Sequence, residues 1–147
     1  MNNAPFIGLV DDAEFLPLIG HVIGRSTARV AFEVQGHPNF VIKKALWPGA
    51  FSNRVEYIIW QQIADEPDLA AVLGACPAMS FTGEHLLMER LSDLSTSAHI
   101  AARRVPCWVT DRKPTNFGIN AAGEVKMRDY ARLNLGEFLA RLPIINV

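Results

Sequence analysis

The residue types best suited to chemistry gather in Asp111-Arg112-Lys113-Pro114-Thr115-Asn116-Phe117-Gly118 and, further on, in Asp129-Tyr130. Phosphoryl transfer needs an acid near the attacking oxygen, side-chain oxygens for Mg²⁺ and a cation over the transferred group. Phe117 to Asn120 and Val125 to Arg128 are short apolar-rich runs flanking Ala121-Ala122-Gly123-Glu124, a hairpin pattern. Such a hairpin can carry Asp111, Lys113, Asn116 and Asp129 to one end. Taken singly, Asp111 and Asn116 are also ordinary turn formers, because Asp and Asn bond their own backbones readily. Asp129 alone reads equally as a surface acid at a strand end. It is the set, with strand, turn and strand in between, that points to phosphoryl chemistry.

Asp111-x-Lys113-Pro114-x-Asn116 resembles the D-x-K-P-x-N loop of the protein-kinase-like fold and its small-molecule phosphotransferase branches. Asp129-Tyr130-Ala131 stands where that family has D-F-G. The resemblance implies an ATP- and Mg²⁺-dependent activity. Asp111 would be the catalytic base that orients a hydroxyl, Lys113 would approach the γ-phosphate, and Asn116 and Asp129 would hold the metal. Upstream, Phe40-Val41-Ile42-Lys43 resembles the V-A-I-K strand, so Lys43 would meet the α- and β-phosphates and Glu56 would pair with it. A half-buried Lys needs such a carboxylate to stay charged. Lys43 also reads as a plain strand Lys beside Lys44, and Glu56 as part of a capping box begun by Asn53.

His85-Leu86-Leu87-Met88-Glu89-Arg90-Leu91 resembles the family's fifth strand and hinge, where adenine would bond backbone groups near Glu89 and Leu91. Ile23 to Arg29 occupies the place of the Gly-rich phosphate loop with a single glycine, Gly24. Ser26, Arg25 or Arg29 would then reach phosphate through side chains, and a plain hairpin turn fits the same residues. Val109-Thr110 replaces the family's His-Arg. Only 18 residues follow Asp129, so the expectation is a miniature member lacking most of the helical second lobe.

The elements that must position these residues follow from apolar periodicity. Phe15 to Ile23 is a first strand; Ala28 to Val34 alternates as a half-buried second strand; Phe40 to Ala45 is a third. Ser52 or Asn53 caps a helix to about Ala64 with Val55, Ile58, Ile59 and Ile63 on one face. Ala75 to Phe81 and His85 to Leu91 form a hairpin through Thr82-Gly83-Glu84. A polar connection, Ser92 to Ser97, precedes a short helix at His99 to Arg104. Asn134 and Glu137 have capping-box spacing before Leu135, Phe138, Leu139 and Leu142, an amphipathic terminal helix. The fold class is therefore α+β: a five-stranded antiparallel first lobe with one inserted helix (1–91), then a reduced second lobe with the catalytic loop, a hairpin and a terminal helix (92–147).

Composition excludes several alternatives. Half of the 147 residues are hydrophobic, which excludes intrinsic disorder. No apolar stretch approaches the roughly 18 residues of a membrane span. A net charge of −1 argues against a general nucleic-acid binder. Within that balance, the chain from Ala101 onward is +4 and the preceding hundred residues are −5, either a solvated surface or a site that receives phosphate. Cys76 and Cys107 form no metal motif, the four histidines have no metal-ligand spacing, and Trp47, Trp60 and Trp108 read as packing anchors. The expected protein is cytoplasmic, binds nucleotide, and transfers phosphate to a protein Ser/Thr or a small hydroxylated molecule. The second expectation is a pseudokinase-like module that binds nucleotide or protein without catalysis. A reduced second lobe would leave apolar surface for a homodimer or a complex subunit.

Overall fold

The computed structural model describes residues 3–94, 104–140 and 144–146. In chain order these form β1 (Gly8–Val10), α1 (Asp12–Phe15), a 3₁₀ turn (Leu16–Leu18), β2 (Ile19–Arg25), β3 (Arg29–Val34), β4 (Phe40–Ala45), α2 (Ser52–Ile63) and α3 (Pro67–Ala70). Then come β5 (Ala78–Ser80), β6 (His85–Glu89), β7 (Arg104–Pro106), a 3₁₀ turn (Pro114–Asn116), β8 (Phe117–Ile119), β9 (Val125–Met127), α4 (Leu135–Leu139) and β10 (Ile144–Asn146). The fold is α+β. Two compact units divide it: Met1–Gln62 with Ala75–Arg90, and Ile63–Gly74 with Leu91–Val147. Residues 63–74, which precede the sequence division at Leu91, belong to the second unit.

The first unit is a mixed six-stranded sheet in the order β1-β5-β6-β4-β3-β2. All pairs are antiparallel except β1 with β5, which run parallel with Gly8 opposite Ala78 and Val10 opposite Ser80. This corrects the expectation of five antiparallel strands. A second correction concerns Phe15 to Ile23, whose first half is not strand. Asp11 accepts from the Ala13 N–H at 3.3 Å and starts α1, and Pro17 sits in the first turn of the 3₁₀ segment, so the strand begins only at Ile19.

β4 is buried on both faces from Phe40 to Lys43, and its first three residues are apolar. Phe40 and Ile42 pack with Phe15, Val34, Ala78 and Leu87 in one core cluster. Successive strand side chains alternate faces, so Lys43 points the other way, where it meets α2. The β5–β6 hairpin closes at Gly83 with φ +77°, a conformation glycine adopts without strain. On α2 the buried stripe is Asn53, Glu56, Tyr57, Ile59 and Ile63, while Ile58 is 56% exposed. Two polar residues thus hold the place that apolar patterning gave to Val55 and Ile58.

In the second unit β8 and β9 form the expected hairpin, with Phe117 opposite Met127. Gly118 lets that hairpin approach Leu91, where an added Cβ would lie 2.8 Å from Leu91 backbone atoms. β7 and β10 pair antiparallel, an element without a sequence expectation. Arg104 is the first residue of β7, not the end of a helix; the remainder of the expected His99 to Arg104 helix lies outside the described residues. Asn134 caps α4 by accepting from Glu137 N–H at 3.1 Å, as the capping box requires. α4 ends at Leu139, and Leu142 lies outside the described residues. Trp108 is fully buried and meets Phe138 edge to face at 4.9 Å. Trp47, by contrast, is 47% exposed and anchors no core. Among the described residues no helix is long and apolar enough to cross a membrane.

Candidate functional site

In the first unit a buried polar cluster ties β3, β4 and α2 together. Lys43 Nζ lies 3.3 Å from Glu56 Oε1, the pairing expected from sequence. Glu56 is fully buried, and its closer partner is Arg29, on β3: one guanidinium nitrogen donates to Oε1 at 2.7 Å and the other to Oε2 at 3.1 Å. A two-pronged Arg–carboxylate contact is stronger and more directional than one ammonium contact. Arg29 also donates to Asn53 Oδ1 at 3.1 Å. Asn53 Nδ2 in turn faces three carbonyls, Lys43 O at 2.9 Å and Gly83 O and Glu84 O at 3.0 Å. Asn53 therefore serves the sheet and does not cap its own helix. A buried amide with both ends bonded fixes the first turn of α2 against β4 and the β5–β6 turn.

The β2–β3 turn is built as a hairpin. Ser26 Oγ accepts from Ala28 N–H at 3.3 Å and Arg29 N–H at 3.1 Å, and Ser26 N–H donates to Arg29 O at 2.8 Å. That is a serine turn closing on its own backbone. Gly24 faces open space, and its backbone does not require glycine. At the far end of β6, Glu89 N–H donates to Ala75 O at 2.8 Å and the Glu89 carboxylate accepts from Ala75 N–H at 3.2 Å. Arg90 N–H donates to Asn39 O at 2.8 Å. In the second unit, Leu91 O accepts from Arg128 at 2.8 Å. Each of these groups near Glu89 and Leu91 thus has a partner within the protein.

The loop of the second unit gathers the other candidates. Asn116 is buried; its Nδ2 donates to Asp111 O at 3.0 Å, its N–H donates to Lys113 O at 3.0 Å, and its carbonyl accepts from Arg128 N–H at 2.8 Å. The last bond seats the residue before Asp129 directly on Asn116. Because Nδ2 is engaged, Oδ1 is the acceptor side of that amide. Lys113 Nζ lies 3.6 Å from Asp111 Oδ2, a loose contact with the Lys113 side chain 62% exposed. Basic residues around the loop mostly hold it in shape. Arg112 donates to Val109 O at 2.9 Å and Cys107 O at 2.8 Å; Arg128 donates to Thr115 O at 3.1 Å and Asp93 Oδ1 at 2.6 Å. Part of the +4 charge is therefore loop scaffolding.

One polar group has no sequence signal because Asp12 is some seventy residues from the adjacent pair Glu84 and His85. Asp12, Glu84 and His85 each bring one ligand-type atom within 4.8 Å of the others. Asp12 accepts from Thr82 Oγ1 at 2.7 Å and lies 2.8 Å from His85 Nδ1. Burial pushes the Asp12 carboxyl up, but hydrogen bonds from Ser80, His85 and Thr82 and the His85 charge outweigh it and hold the group below the ordinary aspartate value. His85 is buried, stacks on Phe15 at 5.3 Å, and its Nε2 has no hydrogen-bond partner among the described residues.

No family model and no curated protein matches this chain. Among solved structures, a crystal structure of WbdD is similar over 79% of this chain, with 14% identity and a TM-score of 0.47. The matched region is 33% of that protein's own chain.

Proposed function

We propose that this chain is an ATP- and Mg²⁺-dependent phosphotransferase of the protein-kinase-like type, acting on a hydroxyl acceptor in a protein or small molecule. The observation that carries the reading is Asn116, whose side chain bonds Asp111 O while its backbone holds Arg128, so that Asp111, Asn116 and the start of Asp129 share one end of the β8–β9 hairpin. Asp111 orients the acceptor hydroxyl and takes its proton, and Lys113 offers a mobile cation to the transferred group. Lys43, held by Glu56, contacts the nucleotide phosphates. The donor set fits the metal: Asn116 Oδ1 and the Asp129 carboxylate are hard oxygen ligands of the kind Mg²⁺ prefers. When bound, Mg²⁺ neutralises phosphate charge.

A second reading, nucleotide or protein binding without catalysis, is favoured by the β2–β3 turn. Its Ser26 hydroxyl closes a hairpin, and Gly24, at the end of β2, is the only glycine from Ile23 to Arg29. Thermal unfolding with ATP and Mg²⁺ tests the shared premise. Ligand at a hundredfold excess over its dissociation constant stabilises by about 2.7 kcal/mol, a rise of a few degrees in Tm. Asp129→Asn is expected to remove the metal-dependent part of the rise. No rise at millimolar ATP overturns the nucleotide assignment.

A further inference from the structure

Glu56 is completely buried and needs positive charge beside it, and the Lys43 ammonium lies 3.3 Å from its Oε1. Arg29 supplies two bonds, at 2.7 and 3.1 Å, from a side chain nine-tenths buried, and adds a third bond to Asn53 one helical turn earlier. Residues three apart lie on one helix face, so a single guanidinium grips two consecutive positions of the α2 stripe that faces the sheet. Asn53 completes the clamp through carbonyls of β4 and of the β5–β6 turn. Removing Lys43 leaves Glu56 with its fork intact. Removing Arg29 takes the bonds at 2.7 and 3.1 Å from a buried carboxylate and the 3.1 Å bond from Asn53 Oδ1, the costlier change.

We infer that Arg29 is a positioning residue that locks α2 and Glu56 to the sheet independently of Lys43, so that this helix is held in place before any nucleotide binds. The inference rests on the proposed phosphotransferase reading only where it says what the lock is for: it lets Lys43 serve phosphate without releasing Glu56. A protein built this way has no swing of α2 by which to be switched on.

Amide hydrogen exchange on the nucleotide-free protein tests the lock directly. Across residues 53–62, protection is expected to be equal in wild type and Lys43→Met, lower in Arg29→Lys, which keeps the charge but loses the fork, and lowest, by at least tenfold in exchange rate, in Arg29→Met. If Arg29→Met does not fold, Arg29→Lys against Lys43→Met carries the same comparison. Protection lost in Lys43→Met as much as in the Arg29 variant overturns the inference, and so does a tenfold gain in wild-type α2 protection on adding ATP and Mg²⁺. Calorimetric titration with ATP supplies the readout that a merely structural role would not move: Arg29→Met weakens binding several-fold, and Arg29→Lys recovers part of the loss. Equal weakening in both, with α2 protection unchanged, also overturns it. Absence of ATP binding in wild type defeats the phosphotransferase reading, while the nucleotide-free exchange order still decides whether Arg29 is the lock.

Discussion

In the first unit Glu56 is buried under an Arg fork and a Lys, and its neighbour Asn53 has both ends of its amide bonded. In the second unit Lys113 stands largely in solvent, 3.6 Å from Asp111, in a loop held mainly through backbone carbonyls. Both groups are made of charged and amide side chains, yet they answer different physical demands. A buried charge must be matched bond for bond, because any unpaired partner carries its full desolvation cost. An exposed pair keeps most of its hydration, so its geometry is loose and its contribution to stability is small. The first arrangement fixes a position. The second leaves side chains able to move, as the proposed phosphate transfer requires.

That contrast sets the expected order of effects. Glu56→Gln leaves Arg29 and Lys43 buried without their carboxylate and is expected to cost about 3–5 kcal/mol in urea unfolding. A cost below 1 kcal/mol would mean the cluster is not the rigid member of the pair. Lys113→Ala is expected to change stability by about 0.5 kcal/mol or less while phosphate transfer falls steeply. A large loss of stability there would erase the distinction between the two groups.

The smallest effect expected is at Asp12, a part-exposed acid whose carboxyl is held below its ordinary value. Its lowered pKa contributes stability that is present above the unfolded aspartate value near 4 and is lost as pH falls through the folded value. Melting temperature followed from pH 5 to pH 2 should therefore drop less steeply in Asp12→Asn than in wild type. Parallel curves would show that the Thr82 and His85 contacts do not favour the charged form.

Local patterns gave away the local elements. Thr82-Gly83-Glu84 and Ala121 to Glu124 turn where their residue types demand, and Asn134 caps α4 through the amide three residues on. The contact of Lys43 with Glu56 was legible only through the family resemblance, because alone each residue reads as well as a plain strand Lys and as part of a capping box. Arg29 as the stronger partner was not: it is 27 residues from Glu56, and nothing local marks an Arg as facing a helix. The same holds for β1, three residues whose parallel pairing with β5 reaches across most of the first unit. Ile58 was misplaced because apolar periodicity cannot foresee that Asn53 and Glu56 are buried by bonding partners. The Ser26 turn shows the converse, a segment whose residue types fit phosphate contact and whose hydroxyl instead closes its own backbone.

Transfer of labelled γ-phosphate from ATP, measured beside ATP binding in wild type and Asp111→Ala, tests the central claim most directly. The expected result is transfer or release in wild type that disappears in Asp111→Ala while ATP binding survives. An equal signal in the variant would contradict the role given to Asp111, and ATP binding without transfer in wild type would leave a binding module in place of an enzyme.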